Sequence, residues 1–227
     1  MELSSGGKMT SNKFLLILLI LICQNLFADE RQGEVKVARI TAEGTGCTNG
    51  SVSSNFSPDL KEFSILFDNF IATSGAQSGA TLDRKNCNVH LQIKMHENWQ
   101  FALATADYRG FVALEDGTQA THKVIYQMNK NRGEKSLNQS VFKGPLIDGY
   151  TIQHSVNSGE LEWTECKNKN LNLKIKVDLI AQSINPRASN NGAQITLDSL
   201  DGAVAEQKFG ILWRKCDSKK IKNNNKF

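Results

Sequence analysis

The amino-acid sequence predicts an all-β protein: an antiparallel two-sheet β-sandwich, jelly-roll-like, stapled by two disulfides. Three observations lead to this prediction. Apolar and polar residues alternate with a period of two in several segments, and turn dipeptides such as Asn-Gly and Asp-Gly separate these segments. No window of twelve residues after Ala28 has the apolar spacing of a helix. Strands that bury one face alternate in this way, and many short strands with such turns are typical of a sandwich.

The alternation is strongest in four segments, residues 63–67, 87–95, 171–179 and 209–213. Weaker strands are expected at 34–41, 100–106, 108–114, 122–128, 149–156 and 193–198, with a small-residue loop at 71–81 and a polar loop at 129–140. The apolar face of the strong strands predicts a shared core of Val89, Leu91, Ile93, Leu173, Ile175, Val177, Phe209 and Ile211. Their opposite faces carry Lys and Asn, which favours a solvated sheet face.

Composition and charge restrict the class of protein. The chain has 227 residues, of which 40% are hydrophobic and 22% are charged, with a formal net charge of +4. This is an ordinary globular composition, which excludes disorder, collagen and coiled coil as overall descriptions. The basic residues do not gather on one predicted face, so we expect no nucleic-acid partner. We expect a single domain over residues 29–216, followed by a disordered basic tail over 217–227.

The first 28 residues are predicted to be a secretory signal peptide. Lys8 and Lys13 precede an apolar run over residues 14–23, and the small residue Ala28 follows it. The run is too short for a membrane-spanning helix, which needs about 20 residues. Cleavage after Ala28 would give a secreted or periplasmic protein without membrane contact. An uncut anchor is the alternative.

Four cysteines remain once the signal peptide removes Cys23: Cys47, Cys87, Cys166 and Cys216. An even number in an exported chain indicates a disulfide framework, and four cysteines allow three pairings. Of these we prefer Cys47 with Cys87 and Cys166 with Cys216. A zinc site is disfavoured because no C-x-x-C pair occurs. We expect neither a metal nor a cofactor.

Aromatic residues supply the candidates for ligand binding. Trp163 and Trp213 each lie three residues before a cysteine, which favours a core position beside a disulfide. Trp99, in a polar turn, is the aromatic residue most expected to be exposed, and Tyr108 and Arg109 join it as weak ligand-binding candidates. The Arg109 guanidinium can hold a carboxylate in a bidentate pair or bind an anionic ligand.

Catalytic motifs are absent from the sequence, which contains no H-E-x-x-H, no G-x-S-x-G and no phosphate-binding loop. The aspartates at 198 and 201 fit a turn better than a calcium loop, because the spacing of a calcium loop is missing. Three glutamates lie close together in sequence, namely Glu160, Glu162 and Glu165. They are either candidates for the paired catalytic carboxylates of a glycosidase or part of a charged strand edge.

The histidines indicate no metal site. His90 and His96 are six residues apart and are expected at the surface, because a third ligand is not apparent. His122 and His154 have no recognisable partner in the sequence.

A series of short motifs runs in order along residues 38–216. The motifs are 44–47 (GTGC), 51–52 (SV), 67–72 (FDNFIA), 84–87 (RKNC), 108–110 (YRG), 144–145 (GP), 163–166 (WTEC), 171–172 (LN), 198–199 (DS) and 213–216 (WRKC). Together they resemble the secreted domain-of-unknown-function 4360 family of bacteria and fungi. The resemblance implies export and a β-rich domain. It implies no activity and no catalytic residues.

The sequence therefore favours an exported, non-catalytic β-sandwich that binds a surface, matrix or carbohydrate ligand. The alternative is a secreted hydrolase or lyase that acts on polysaccharide. A purely structural, self-associating protein is a third hypothesis, for which a long uncovered edge strand would be evidence.

Overall fold

The computed structural model describes residues 35–48, 50–128, 133–166, 169–185, 190–197 and 206–217. These residues form twelve strands and one 3-10 turn, Ser158–Glu160, and include no α-helix. None of the described helical structure is long and apolar enough to cross a membrane. The strands are β1 (Lys36–Glu43), β2 (Val52–Phe56), β3 (Glu62–Phe67), β4 (Ile71–Ser74), β5 (Leu82–Lys94), β6 (Trp99–Leu114), β7 (Thr118–Met128), β8 (Lys135–Lys143), β9 (Leu146–Ser155), β10 (Asn170–Ser183), β11 (Ala193–Thr196) and β12 (Glu206–Lys215).

Two antiparallel sheets enclose one hydrophobic core. The five-stranded sheet has the order β1-β5-β10-β7-β8, and the seven-stranded sheet has the order β2-β3-β12-β6-β11-β4, with β9 also paired to β6. Strand β6 has sixteen residues and pairs with three strands. Since β9 overlaps both β12 and β11 along β6, those two strands share one side of β6 and β9 takes the other. The predicted two-sheet sandwich is confirmed.

The core forms where the alternation predicts it. All eight predicted core residues are buried, each at most 5% exposed: Val89, Leu91, Ile93, Leu173, Ile175, Val177, Phe209 and Ile211. The rings of Phe63 and Phe209 stack at 4.7 Å within the seven-stranded sheet. The rings of Tyr108 and His122, whose centroids are 4.9 Å apart, join one sheet to the other. The period-two pattern therefore reports burial accurately in the long strands.

The two disulfides have the predicted pairing. Cys47, just after β1, bonds to Cys87 in β5, and their Cα atoms are 5.5 Å apart. Cys166 bonds to Cys216, just after β12, with a Cα separation of 5.8 Å. The first bond is buried in the core, whereas the second is half-buried at the end of the seven-stranded sheet. Each bond joins segments that are distant in sequence.

The tryptophans beside the second disulfide are half-buried. The Trp213 indole N–H donates to the Leu60 carbonyl at 2.6 Å, and its ring lies 5.4 Å from that of Phe101. The Arg214 guanidinium lies 4.0 Å from the ring centroid of Trp163. These contacts give both indoles a structural role at the sheet end, and the half-buried Trp213 packs against the hydrophobic core.

Two predicted loops are partly wrong. Residues Ile71–Ser74 form β4, because pairing with β11 buries Ala72 and Ser74 despite their small-residue composition. Strand β8 begins at Lys135 inside the predicted polar loop, and it buries only Leu137 completely. An edge strand with one buried apolar residue leaves little alternation in the sequence. The predicted signal peptide, the possible calcium turn and the tail beyond Asp217 lie outside the described residues.

Candidate functional site

An open groove crosses the outer, polar face of the five-stranded sheet. It has a volume of about 480 Å³. Strands β1, β5, β10 and β7 contribute its lining, which consists of Arg39, Thr41, His90, Leu91, Gln92, Gln127, Asn172, Leu173 and Lys174. We call this feature the outer-face groove.

The strand register explains why these side chains meet. Thr41 pairs with His90, His90 with Lys174, and Lys174 with Gln127, so four adjacent strands contribute one cross-strand row. Residues two positions apart along a strand share a face of the sheet. A second row, made of Arg39, Gln92 and Asn172, therefore lies beside the first.

The groove lining is cationic and amide-rich. Its side chains include Arg39, Lys174 and the imidazole of His90, with three amides and one hydroxyl, and no carboxylate. Leu91 and Leu173 also line the groove, but their side chains are buried at 2% and 1% exposure. The floor is therefore the backbone of β5 and β10. The lining offers many hydrogen-bond donors to an extended ligand.

The aromatic and arginine candidates from the sequence do not form one site. Trp99 is half-buried, and the Lys215 Nζ atom lies 5.3 Å from its ring centroid. Arg109 is exposed ten residues further along β6, which is about 33 Å at the rise of a strand. Both lie in the seven-stranded sheet, away from the outer-face groove.

The prediction that Tyr108 is an exposed ligand-binding residue is wrong. Its side chain is fully buried at 0% exposure, because alternation along β6 turns it into the core. Burial, with a smaller contribution from the Asp107 charge, raises the pKa of its hydroxyl. The phenol therefore stays protonated and contributes to core packing.

The three glutamates differ in environment. Glu162 is buried at 8% exposure, and its Oε2 lies 3.4 Å from the Lys135 Nζ atom. Glu160 accepts a hydrogen bond from the Asn157 amide at 3.3 Å, and Glu165 is exposed. A second hollow of about 370 Å³ is lined by Tyr126, Lys135, Ser136, Leu137, His154, Val156 and Glu160. Glu160 is the one carboxylate of the three in that lining.

The histidines are separated by the fold. His122 is fully buried, and its Nδ1 lies 3.3 Å from the Asn138 amide nitrogen. Desolvation lowers the pKa of His122 to about 3, so it is neutral. His90 Nε2 lies 3.7 Å from Glu43 Oε1 at the groove, whereas His96 Nδ1 accepts the Asn98 N–H at 3.2 Å. Within the described ranges, no group of three or more His, Cys, Asp or Glu side chains could hold a metal ion.

The model of a family named Domain of unknown function (DUF4360) matches residues 33–216. The chain belongs to this family. A relative from Arthroderma benhamiae, an uncharacterised secreted protein, is 30% identical over 184 residues, which are 81% of this chain and 72% of the relative. This match and the two disulfides agree with the predicted secretion, and this DUF4360 chain is a secreted protein.

Three solved structures show remote similarity to this DUF4360 protein. TmCBM61 in complex with β-1,4-galactotriose is 8% identical, with 80% of this chain and 91% of that chain covered and a TM-score of 0.24. A family 11 carbohydrate-binding module from Clostridium thermocellum, in complex with a mixed-linked tetrasaccharide, is 5% identical, with coverages of 71% and 95% and a TM-score of 0.20. Cowpea mosaic virus top component is 11% identical, with coverages of 84% and 88% and a TM-score of 0.26. At such TM-scores nothing follows about ligands.

Proposed function

We propose that this secreted DUF4360 protein is a non-catalytic binding protein whose carbohydrate ligand, part of a surface or matrix, lies across the outer-face groove. One observation carries the proposal. Seven polar side chains from four adjacent strands converge on a single open hollow of about 480 Å³. A merely solvated face, which the sequence favours, has no need of such a hollow.

The shape and chemistry of the groove fit a sugar chain. Four strands at about 4.8 Å spacing give a row roughly 14 Å wide, and the hollow is open rather than enclosed. The amides of Gln92, Gln127 and Asn172 each donate and accept hydrogen bonds, as the hydroxyls of sugars do. A flat-lying chain would therefore find a partner at each step across the sheet.

The same lining favours binding over hydrolysis. Glycosidases of the common type need two carboxyl groups on either side of the scissile bond, about 5–9.5 Å apart. The outer-face groove has no carboxylate in its lining, and the second hollow has Glu160 alone. Glu162 is held instead against Lys135. The hydrolase alternative is thus the weaker of the two.

Binding to a panel of soluble polysaccharides, measured by titration calorimetry on residues 29–227, tests the proposal. The double variant Gln92→Ala/Asn172→Ala removes two groove amides, and we expect at least a tenfold loss of affinity. The matched control, Asn55→Ala/Gln153→Ala, removes two exposed amides from the seven-stranded sheet and should bind as the wild type does.

Two results would contradict the proposal. One is the absence of binding to any polysaccharide, or binding that both double variants retain. The other is release of new reducing ends by the purified protein, abolished by Glu160→Gln, because that result would establish the hydrolase alternative.

A further inference from the structure

We infer that the ligand of the outer-face groove is an acidic polysaccharide, one that carries carboxylate or sulfate groups. This inference rests on the proposed function and deepens it by naming the class of ligand. Its basis is the distribution of charge across the five-stranded sheet, together with the kind of side chain that the groove lacks.

Cations occupy three consecutive cross-strand rows at one end of this face. Lys36, Lys94 and Asn170 form the terminal row, which continues the two rows of the groove. The cations of the three rows are Lys36, Lys94, Arg39 and Lys174, with the His90 imidazole between them. No carboxylate belongs to these rows, although the whole chain has nearly as many acidic as basic residues.

Two acidic residues lie at the border of the groove. Glu43 lies 3.7 Å from His90, and Glu134 makes an ion pair with Lys176 in the next row. The Lys176 hydrogen bond holds the pKa of Glu134 below its usual range, so this carboxylate stays ionised and paired. In the described part of the chain, no ion pair includes Arg39 or Lys94, so their charges remain available to a ligand. Lys174 is already in the electrostatic field of Glu134.

The groove also lacks an aromatic side chain. Neutral sugars are commonly held by the apolar face of a ring packed on an exposed aromatic platform. The tryptophans of this protein lie in or beside the seven-stranded sheet, where Trp99 and Trp163 already have cations against their rings. Affinity in this groove must therefore come from hydrogen bonds and from charge.

Charge complementarity has two testable consequences for the ligand, one for its charge and one for the effect of salt on binding. An anionic chain gains from several neighbouring cations at once, and its guanidinium contact at Arg39 is bidentate with a carboxylate or sulfate. Because Lys36, Arg39 and Lys94 are exposed, added salt screens their charges, and the Debye length falls to a few ångströms near 1 M salt. Binding of an acidic chain should weaken steeply with salt, whereas binding of a neutral chain should not.

The experiment compares polygalacturonate with the same polymer after full methyl esterification, which removes its charge and keeps its backbone. We expect the free acid to bind residues 29–227 at least tenfold more tightly at 50 mM salt, and to lose at least tenfold in affinity at 500 mM. The variant Arg39→Gln/Lys174→Gln should lose at least tenfold for the free acid. The control Lys61→Gln/Lys208→Gln removes the same number of charges, just before β3 and within β12, and should remain within twofold.

The outcomes separate this inference from the proposed function. If both polymers bind equally, and Gln92→Ala/Asn172→Ala weakens both, the ligand is a neutral sugar chain; the inference is then wrong and the proposed function stands. If neither polymer nor any panel glycan responds to groove variants, both fail. Equal affinity for polyphosphate or for anionic lipid vesicles would also overturn the choice of an acidic polysaccharide.

Discussion

His122 is a buried titratable residue in the core. Its imidazole is fully buried between the two sheets, with the rings of Tyr108 and Tyr150 at 4.9 and 6.1 Å. The Asn138 amide is its polar neighbour, and Nε2 has no hydrogen-bond partner among the described residues. Only a neutral imidazole is tolerated in this environment, because a buried charge without a partner is costly.

Stability should therefore depend on pH through His122. Burial lowers its folded-state pKa to about 3, below the unfolded value of about 6.5, so the unfolded chain binds the proton more tightly. The contribution is complete above about pH 6.5 and is lost progressively as the pH falls toward 3. Between pH 7 and pH 5 we expect a loss of about 2 kcal/mol in the free energy of unfolding, measured by urea titration.

The variant His122→Gln cannot titrate and should show a flatter pH profile than the wild type, whatever its stability at pH 7. The variant His154→Gln removes an imidazole that is only half-buried and should keep the wild-type slope. If the free energy of unfolding changes with pH equally in the wild type and in His122→Gln, His122 is not the cause of the pH dependence.

For single residues, the sequence predicts burial better than it predicts a part in ligand binding. Alternation places the eight core residues correctly, since inward position in a strand depends on local period alone. The same rule should have removed Tyr108 from the surface candidates, because it stands between outward-facing Asp107 and Arg109 on β6. Tyr108 is selected as a candidate by its residue type, without regard to its position in the alternation.

Strand β5 shows how sharply one element divides its two faces. Leu91 and Gln92 are adjacent, yet Leu91 is 2% exposed in the core and Gln92 lies in the groove. We expect Leu91→Ala to lower the free energy of unfolding by about 2–5 kcal/mol, because it loses buried area and leaves a cavity. Gln92→Ala on the opposite face should change it by no more than about 0.5 kcal/mol.

Chemical denaturation of the two variants at neutral pH measures this difference. Similar losses at both positions would contradict the assignment of faces along β5. If Gln92→Ala folds with wild-type stability, its loss of carbohydrate affinity also becomes interpretable as a change in the groove itself.

The sequence alone does not predict the pairing register between strands, on which the groove depends. Each row of the groove depends on pairings such as Arg39 with Gln92 and Lys174 with Gln127, which join residues 50 or so positions apart. Alternation identifies His90, Gln92 and Lys174 as outward-facing, but nothing local specifies which strands lie side by side. The groove and its charge therefore emerge only with the fold.

The two disulfides contribute to the stability of the whole molecule. They span 40 and 50 residues, so loop-closure entropy alone gives each about 4 kcal/mol of stabilisation. Cys47 and Cys87 are also buried at 5% and 1% exposure, whereas the other pair is half-buried. We expect Cys47→Ala/Cys87→Ala to cost more stability than Cys166→Ala/Cys216→Ala, because it also removes buried side-chain atoms.

Urea unfolding of the two double variants, under identical oxidising conditions, gives the comparison. An equal or reversed order would mean that closure of the seven-stranded sheet by the second bond matters more than burial of the first. Reduction of the wild type should lower the midpoint below that of either variant.

Strand β12 is the last strand along the described chain, yet it lies between β3 and β6 in the middle of the seven-stranded sheet. A chain delivered from its N-terminus onward therefore cannot complete this sheet until residues 206–215 have arrived. Before that moment β3 and β6 each present an unpaired edge, and such edges are prone to join other chains. During export the seven-stranded sheet therefore stays incomplete until β12 has arrived, and any truncation before β12 should yield aggregates rather than a smaller sandwich.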